Sequence, residues 1–196
     1  MLRIAGVLTV LLVLGCCTEI FPKTTQEKSP HPIFIPFEQN CSENKNKNLS
    51  HETISQIQKA HFQWLKNPTA PEGHRANFCE ADLSDVDFHM AMLVGANFTK
   101  AKLQNVQLER ANLSRANFSE AQLQGVNLDN AMLHLAIFQR AVFHDASLQN
   151  AMLYQAKLQG ADLRNVKGLT QIQINMACLD THTKLPRGLS HPKPCF

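Results

Sequence analysis

Two cysteine–histidine pairs near the C-terminus form the part of this sequence that most resembles a metal site. Cys178 stands four residues before His182, and His191 stands four residues before Cys195. Thiolate and imidazole groups at such spacings are ligands of tetrahedral Zn²⁺ sites. The alternative is a disulfide between Cys178 and Cys195, which is the commoner arrangement in a small exported tail. We predict the disulfide, because the first residues of the chain indicate export.

The other reactive side chains do not form a catalytic pattern. No glycine-rich phosphate loop, Ser/His/Asp group or pair of carboxylates stands out in the sequence. His61 falls on the apolar side of a predicted helix, where we expect it to be packed. The aspartates within residues 82–87 are interpreted as solvated surface. We therefore predict no catalytic residue, no cofactor, no metal site and no enzyme activity.

Length and composition limit the classes of protein to be considered. The chain has 196 residues, of which 44% are hydrophobic and 18% are charged, and its formal net charge is +3. This length allows one domain with a tail, and the charge is too small to indicate nucleic-acid binding. No apolar run reaches the ~18 residues of a membrane span, which excludes a polytopic membrane protein.

Residues 1–17 are interpreted as a signal peptide. Arg3 supplies a positive charge, residues 4–14 are apolar, and the chain becomes polar after two adjacent cysteines. Residues 13–16 resemble a bacterial lipobox, in which Cys16 would be lipidated and become the mature N-terminus. Ordinary cleavage near Cys17 is the alternative. We expect an exported protein, either periplasmic or anchored to a membrane as a lipoprotein.

Export also affects the interpretation of the other cysteines, because disulfides persist outside the cytosol. If Cys16 is acylated, five cysteines remain, and an odd number leaves one of them unpaired or paired between molecules. Closing the tail through Cys178 and Cys195 would stabilise the protein by about 3 kcal/mol. Cys41 and Cys79 form the next plausible pair, although the spacing alone does not determine the connectivity.

The segments before residue 76 have two different patterns. Residues 18–48 contain four prolines and a polar Asn/Lys run, which predict a linker, and they include an apolar patch at residues 33–37. Residues 49–75 predict an N-terminal capping helix followed by a loop. Ser50 is a suitable N-cap for that helix, and the apolar period continues to Lys66.

The most regular feature of the sequence is a five-residue repeat. A Leu or Phe occurs at every fifth position from Phe78 to Leu163, and Ala or Val usually precedes it by two residues. Five residues advance an α-helix by about 140°, and an odd period in a strand alternates between faces. The repeat therefore fits neither element. It indicates a solenoid, in which each unit buries its apolar side chains against neighbouring units.

A twenty-residue period is superimposed on the shorter one. Phe78, Phe98, Phe118 and Phe138 are twenty residues apart, so four units form one coil and equivalent residues stack in successive coils. The eighteen units correspond to 4.5 coils. We predict an all-β solenoid with this phenylalanine stack in its core.

The repeat Ala-Asp/Asn-Leu/Phe, seen at residues 81–83 and 96–98, resembles the pentapeptide-repeat family over residues 76–166. The resemblance implies a right-handed quadrilateral β-helix whose small and Leu/Phe side chains point inward. Within residues 167–196, which follow the repeat, the run 168–186 resembles the C-terminal end of exported members. In this segment Thr170 and Gln173 predict a capping box and a short helix to about Leu179, followed by the cysteine-closed tail. We thus expect short helical caps at both ends of the coil.

The longer period also assigns the outward side chains to faces. Glu80, Lys100, Glu120 and Arg140 alternate in charge along one column, which is typical of structural surface. A second face carries apolar side chains at outward or corner positions, and such a group can mark an interaction surface. Contact with the linker and a homodimer seam are the alternatives to a foreign partner there. This candidate interaction face comprises Met92, Val94, Met132, Leu135, Met152 and Tyr154.

These features predict a non-enzymatic, exported structural or protein-interaction module in the bacterial cell envelope. Its partner would be a protein and not a nucleic acid, and it would contact the membrane only through an N-terminal lipid. One alternative is implied by the family, some of whose members mimic DNA, bind gyrase and give quinolone resistance. That mimicry needs a strongly acidic surface, whereas residues 76–165 have nine acidic and seven basic residues, a net charge of −2. The other alternative is a secreted effector acting on a host partner.

Overall fold

The computed structural model describes residues 41, 47–69, 71 and 73–192. The interpretations of residues 1–17, of lipidated Cys16, of most of the 18–48 linker and of Cys195 therefore fall outside the described residues. Across the part of the chain that is described, no helix is both long enough and apolar enough to cross a membrane.

Two helices flank the repeats. Helix α1 spans His51–Lys66 and is capped by Ser50, whose side chain accepts a hydrogen bond from the Thr53 N–H at 3.2 Å. Helix α2 spans Gln171–Met176 and begins with the capping box expected at Thr170 and Gln173.

Helix α2 is shorter than the sequence predicts, and the expected end near Leu179 is wrong. Its C-cap residue Ala177 has an extended backbone, with φ −97° and ψ 163°. The N–H of the following residue, Cys178, donates to the carbonyl oxygen of Ala156 at 2.8 Å. The helix ends early because the chain there pairs with the coil below it.

Between the helices the backbone forms a coil with twenty residues per turn. From Asn77 to Ser147, parallel bridges join the residue before each core Leu or Phe to the one twenty positions later, as in Asn77 to Asn97 and Asn97 to Asn117. The pairing extends past both predicted boundaries of the repeat, because Asn48 bridges Asp82 at the front and Asp162 bridges Lys184 at the back. The flanking segments thus supply strand partners for the first and last coils.

Each side of the coil ends in a tight turn that requires a left-handed residue. Every fifth residue from Glu80 to Gly160 has φ between 54° and 70°, as at the third position of a type II turn. Only three of these residues are glycine, so the others adopt a conformation that L-residues disfavour. Neighbouring coils hold them in place: the Glu80 N–H donates to the Thr99 carbonyl oxygen at 2.8 Å.

The core is a column of the repeated Leu and Phe side chains. All of them from Phe78 to Leu163 are at most 1% exposed. The rings of Phe78, Phe98, Phe118 and Phe138 stack with centroid distances of 5.0, 4.6 and 4.8 Å. These distances are close to the ~4.8 Å separation of paired strands, so each ring lies directly over the ring of the previous coil. Nearly all of the Ala and Val side chains two residues before them are buried as well, and the remaining positions provide most of the surface.

Candidate interaction surface

One side of the coil, which we call the methionine face, consists of residues 90–95, 110–115, 130–135 and 150–155. Its central column is joined by parallel bridges from Met92 to Asn112, from Asn112 to Met132 and from Met132 to Met152. The backbone thus places the six residues of the predicted interaction face on one side, in adjacent columns. The stacking follows directly from the twenty-residue period.

The apolar side chains of the methionine face are accessible to water. Met92, Met152 and Tyr154 are 48%, 51% and 53% exposed, and Leu135 is also exposed. Val94 and Met132 are half-buried. The ring of Tyr154 lies edge-on to that of His134, at a centroid distance of 6.4 Å. Such a group of exposed large apolar side chains is typical of a surface that contacts another molecule.

Three further exposed apolar residues extend this surface and were missed by the sequence analysis. Met90 lies at the corner of the face, and Ile172 and Met176 lie on helix α2; all three are exposed. Helix α2 lies next to the last coil of the face, because the Gln155 N–H donates to the Met176 carbonyl oxygen at 2.7 Å. The signal was present in the helix itself: Ile172 is two residues from the buried Ile174, about 200° around the helix axis.

Polar residues interrupt the methionine face at its second coil. The side-chain oxygen of Asn112 accepts hydrogen bonds from the Ser114 N–H at 3.2 Å and the Ser114 hydroxyl at 2.8 Å. The hydrogen bonds of this oxygen are therefore made within its own turn. Arg110 and Arg115 flank it, and both are exposed. The face thus has an apolar first coil, a cationic second coil and apolar third and fourth coils.

The charged column on another corner of the coil pairs its own charges. Lys100 Nζ lies 3.9 Å from Glu80 Oε1, and Arg140 Nη2 lies 2.8 Å from Glu120 Oε1. These pairs are exposed to water and each contributes little to stability. The alternation of charge that the sequence predicts is therefore formed as ion pairs between successive coils.

A second cluster of paired charges lies near the last coil. Arg164 Nη2 is 2.7 Å from Asp162 Oδ2, and Lys184 Nζ is 3.5 Å from the same oxygen. Hydrogen bonds from Arg164, together with its charge and that of Lys184, lower the pKa of Asp162 to about 2. The carboxylate stays ionised at neutral pH, and its partners already occupy it.

His61 joins helix α1 to the first coil. Its ring is fully buried, stacks on Trp64 at a centroid distance of 5.5 Å, and accepts a hydrogen bond at Nδ1 from the Ala76 N–H at 3.0 Å. Burial first, and then the positive charges of Arg75 and His74, lower the pKa of His61 to about 4. The ring is therefore neutral at pH 7 and carries its proton on Nε2. This is the packed histidine that the helical pattern predicts.

The cysteines of the described residues are in disulfides. Cys41 and Cys79 are bonded to each other, with a Cα–Cα distance of 5.2 Å. Cys178 is disulfide-bonded as well. Since Cys195 is not among the described residues, the Cys178–Cys195 pairing remains a prediction. A sulfur held in a disulfide cannot supply a thiolate, so Cys178 does not fit the zinc alternative.

The two tail histidines that completed the zinc alternative have other neighbours. His182 Nδ1 lies 3.5 Å from Asp180 Oδ2, and His191 Nε2 is hydrogen-bonded to the Thr183 carbonyl oxygen at 2.9 Å. Over the ranges that the structure describes, no group of three or more His, Cys, Asp or Glu side chains is placed to hold a metal ion.

Comparisons with known proteins identify the repeat. A family model described as pentapeptide repeats matches eight copies, at residues 74–99, 91–130, 101–140 and 127–165. No curated protein gives a significant match.

Solved structures of pentapeptide-repeat proteins are similar to this fold. Rfr23 from the cyanobacterium Cyanothece 51142 is 23% identical, with a TM-score of 0.51, over 65% of this chain and 98% of that one. A protein of the Arabidopsis thaliana thylakoid lumen is 29% identical, with a TM-score of 0.48, over 50% of this chain and 68% of that one. QnrB1, a plasmid-mediated fluoroquinolone resistance protein, is 17% identical in one trypsin-treated form, with a TM-score of 0.37, over 56% of this chain and 67% of that one. Of these three structures, Rfr23 has a TM-score above 0.5, and at 23% identity its similarity supports the fold alone.

Proposed function

Residues 74–165 belong to the pentapeptide-repeat family, and on that premise we propose that the protein is a non-enzymatic interaction module exported to the bacterial cell envelope. It would present a rigid, right-handed β-helical rod to a protein partner. The observation that carries the proposal is the methionine face, where exposed apolar side chains gather on one side of the coil. Exposing them to water is unfavourable, and a bound partner would remove that cost.

Rigidity is the property that makes this coil suitable for display. The repeated Leu and Phe side chains are buried, and in every turn from Glu80 to Arg140 the N–H of the left-handed residue donates a hydrogen bond to the next coil. An outward side chain therefore has a position determined by its register in the repeat. A partner could recognise several coils at once without first ordering the surface, which reduces the entropic cost of binding.

In this proposal the two helices close the ends of the coil. Ile54 of helix α1 is buried in the same core cluster as the first coils. At the other end Gln173 Nε2 of helix α2 donates to the carbonyl oxygens of Leu148 and Ala151 at 2.8 and 3.0 Å, and Ile174 is fully buried. Covering the terminal coils in this way satisfies open backbone groups and keeps the rod from adding further strands.

The cysteines support export. A disulfide between Cys41 and Cys79, and a second one that includes Cys178, would be stable in an oxidising compartment and not in the cytosol. The proposal places the protein in the periplasm or, if Cys16 is lipidated, on a membrane surface.

The charge of the coil argues against DNA mimicry. Acidic and basic residues are nearly balanced over residues 76–165, and several of them neutralise each other as ion pairs. A mimic of the DNA backbone would need an excess of unpaired carboxylates. No residue specifically favours an effector acting on a host protein.

Cell fractionation tests the location, and crosslinking tests the function. Globomycin, which blocks processing of lipoproteins, should cause the unprocessed chain to accumulate if Cys16 is lipidated. Chemical crosslinking of the full chain in intact cells, followed by purification from the envelope fraction, should recover a protein partner reproducibly. Recovery of the full chain from the cytosol, with no crosslinked partner, would contradict the proposal.

A further inference from the structure

We propose that the partner presents an acidic segment, with carboxylates next to apolar side chains, to the methionine face. This inference rests on the proposed function and adds the chemistry of the partner. It is carried by the charge distribution of the face, which differs from that of the other sides of the coil.

The methionine face has cations and no carboxylate. Residues 90–95, 110–115, 130–135 and 150–155 contain Arg110 and Arg115 and neither Asp nor Glu. Arg110 Nε lies 3.6 Å from Oε1 of Glu109, the residue just outside the face. Arg115 forms no salt bridge with any residue that the structure describes. At least one guanidinium on this face is therefore open to an incoming carboxylate.

Elsewhere on the coil all but one of the cations are neutralised within the molecule. Of the five other Lys and Arg residues in 76–165, all but Lys157 lie within 4 Å of a carboxylate oxygen: Lys100, Lys102, Arg140 and Arg164. Since the same backbone and the same spacing could pair Arg115 in this way, the missing acid distinguishes the methionine face. The face is electrostatically complementary to an anionic partner.

The arrangement along the coil indicates the form of the acidic segment. The cationic second coil lies between the apolar Met92 of the first coil and Met132 of the third, and Met152 and Tyr154 continue the surface. Successive coils are separated by about 4.8 Å. A carboxylate over the second coil would thus be followed, two or three extended residues later, by apolar contacts. Methionine and tyrosine are suited to such contacts, since one adapts its shape and the other combines an apolar ring with a hydroxyl.

Three other occupants fit this charge pattern less well. A second copy of the chain packed face to face would bring arginines together without a carboxylate on either side. Anionic lipid surfaces are usually recognised by clusters of roughly four to eight Lys and Arg residues, and this face has two. The 18–48 linker contains four acidic and four basic residues, so net charge does not attract it to the face.

Site-specific photo-crosslinking in the producing cells tests the inference. A benzophenone amino acid replaces Tyr154 in one full-length variant and Gln122, on the opposite side of the coil, in another. The Tyr154 position should capture a protein segment of net negative charge, identified by mass spectrometry of the crosslinked peptide. In washed envelopes the yield should fall when the salt is raised from about 0.05 M to about 0.5 M, because the charges are screened.

Charge reversal supplies the matched comparison. Arg110→Glu with Arg115→Glu should reduce the crosslinked yield about tenfold, since it places like charges against the partner. Lys100→Glu with Lys102→Glu, on other sides of the coil, should leave it unchanged. All four residues are at least partly exposed, and an unchanged melting temperature for both variants would show that folding is not the cause.

The contrary results separate this inference from the proposed function. Capture of a second copy, of lipid, of residues 18–40 or of a basic segment at Tyr154 would overturn the inference, as would a yield that charge reversal leaves unchanged. Capture only at Gln122 would also overturn it while retaining the proposed interaction module. If neither position captures a protein, both the inference and the proposed function are wrong.

Discussion

The buried Leu and Phe side chains and the methionine face include adjacent residues of the same five-residue units, yet their exposure to water differs sharply. Leu153 is 1% exposed and the preceding residue, Met152, is 51% exposed. The inward residue of each unit is constrained by close packing, whereas the outward residue is constrained only by its neighbours along the column. The fold thus depends on a minority of positions, and evolution of a binding surface on the remainder need not disturb it.

The largest expected effect is on the stack. Phe118→Ala removes a ring packed 4.6 Å from Phe98 and 4.8 Å from Phe138. The lost contacts and the cavity should lower the free energy of unfolding by about 3–5 kcal/mol. Met152→Ala should change it by less than about 0.5 kcal/mol. Urea unfolding of the two variants makes the comparison, and an unchanged free energy of unfolding for Phe118→Ala would mean that the ring is not stacked in the core.

Opening the first disulfide should have a somewhat smaller effect. Cys41 and Cys79 are separated by 38 residues, and a closed loop of that size contributes about 2–4 kcal/mol. Cys41→Ser with Cys79→Ser should lose this stabilisation, whereas Met132→Ser should not.

Peptide mapping without reductant should in addition find Cys178 and Cys195 in one linked peptide. Free thiols at both positions would refute the predicted tail disulfide.

A pH-dependent loss of stability is expected at the junction of helix α1 and the coil. The pKa of His61 is about 4 in the folded protein and ~6.5 in an unfolded chain. The unfolded state therefore binds more protons between these pH values. The contribution of His61 to the free energy of unfolding is complete above about pH 6.5 and declines as the pH falls towards 4.

The junction can be tested with one substitution and one control. From pH 7 to pH 5 the free energy of unfolding should fall by about 2 kcal/mol through His61. His61→Gln, whose amide oxygen can still accept from the Ala76 N–H, should reduce this pH dependence. His134→Gln, on the methionine face, should leave it intact. Equal pH dependence in all three proteins would show that His61 is not the group responsible.

The smallest effect is expected on the charged column. Arg140→Gln removes an ion pair with Glu120 whose side chains are 73% and 40% exposed. Exposed pairs of this kind contribute about 0–1 kcal/mol, so the melting temperature should hardly change. A loss comparable to that of Phe118→Ala would indicate that the surface columns, and not the core, hold the coils together.

The sequence predicts those features that depend on the repeat itself. The five- and twenty-residue periods determine which residues face inward, and hence the buried phenylalanine stack and the column of Met92, Met132 and Met152. Helix α1 was also predictable, because Ser50 and the apolar period mark its beginning and its buried side.

The errors occur where the chain leaves the repeat. The bridge from Asn48 to Asp82 and the early end of helix α2 depend on backbone pairing with a coil distant in sequence. No local pattern records such pairing. The contribution of Ile172 and Met176 to the methionine face depends in turn on where that pairing places helix α2. The apolar part of the candidate surface was therefore predicted for the coil and missed for the helix.

The most direct test of the methionine face as the functional surface is a pair of triple variants. One carries Met132→Ser, Met152→Ser and Tyr154→Asn; the other carries Lys100→Ser, Glu120→Ser and Arg140→Ser on the charged column. Partner capture from the envelope and molecular mass in solution are measured for both, together with the melting temperature. The methionine-face variant should keep its melting temperature and lose the partner, while the charged-column variant keeps both. If both variants retain the same partner and the same mass, the methionine face is not the surface through which this protein acts.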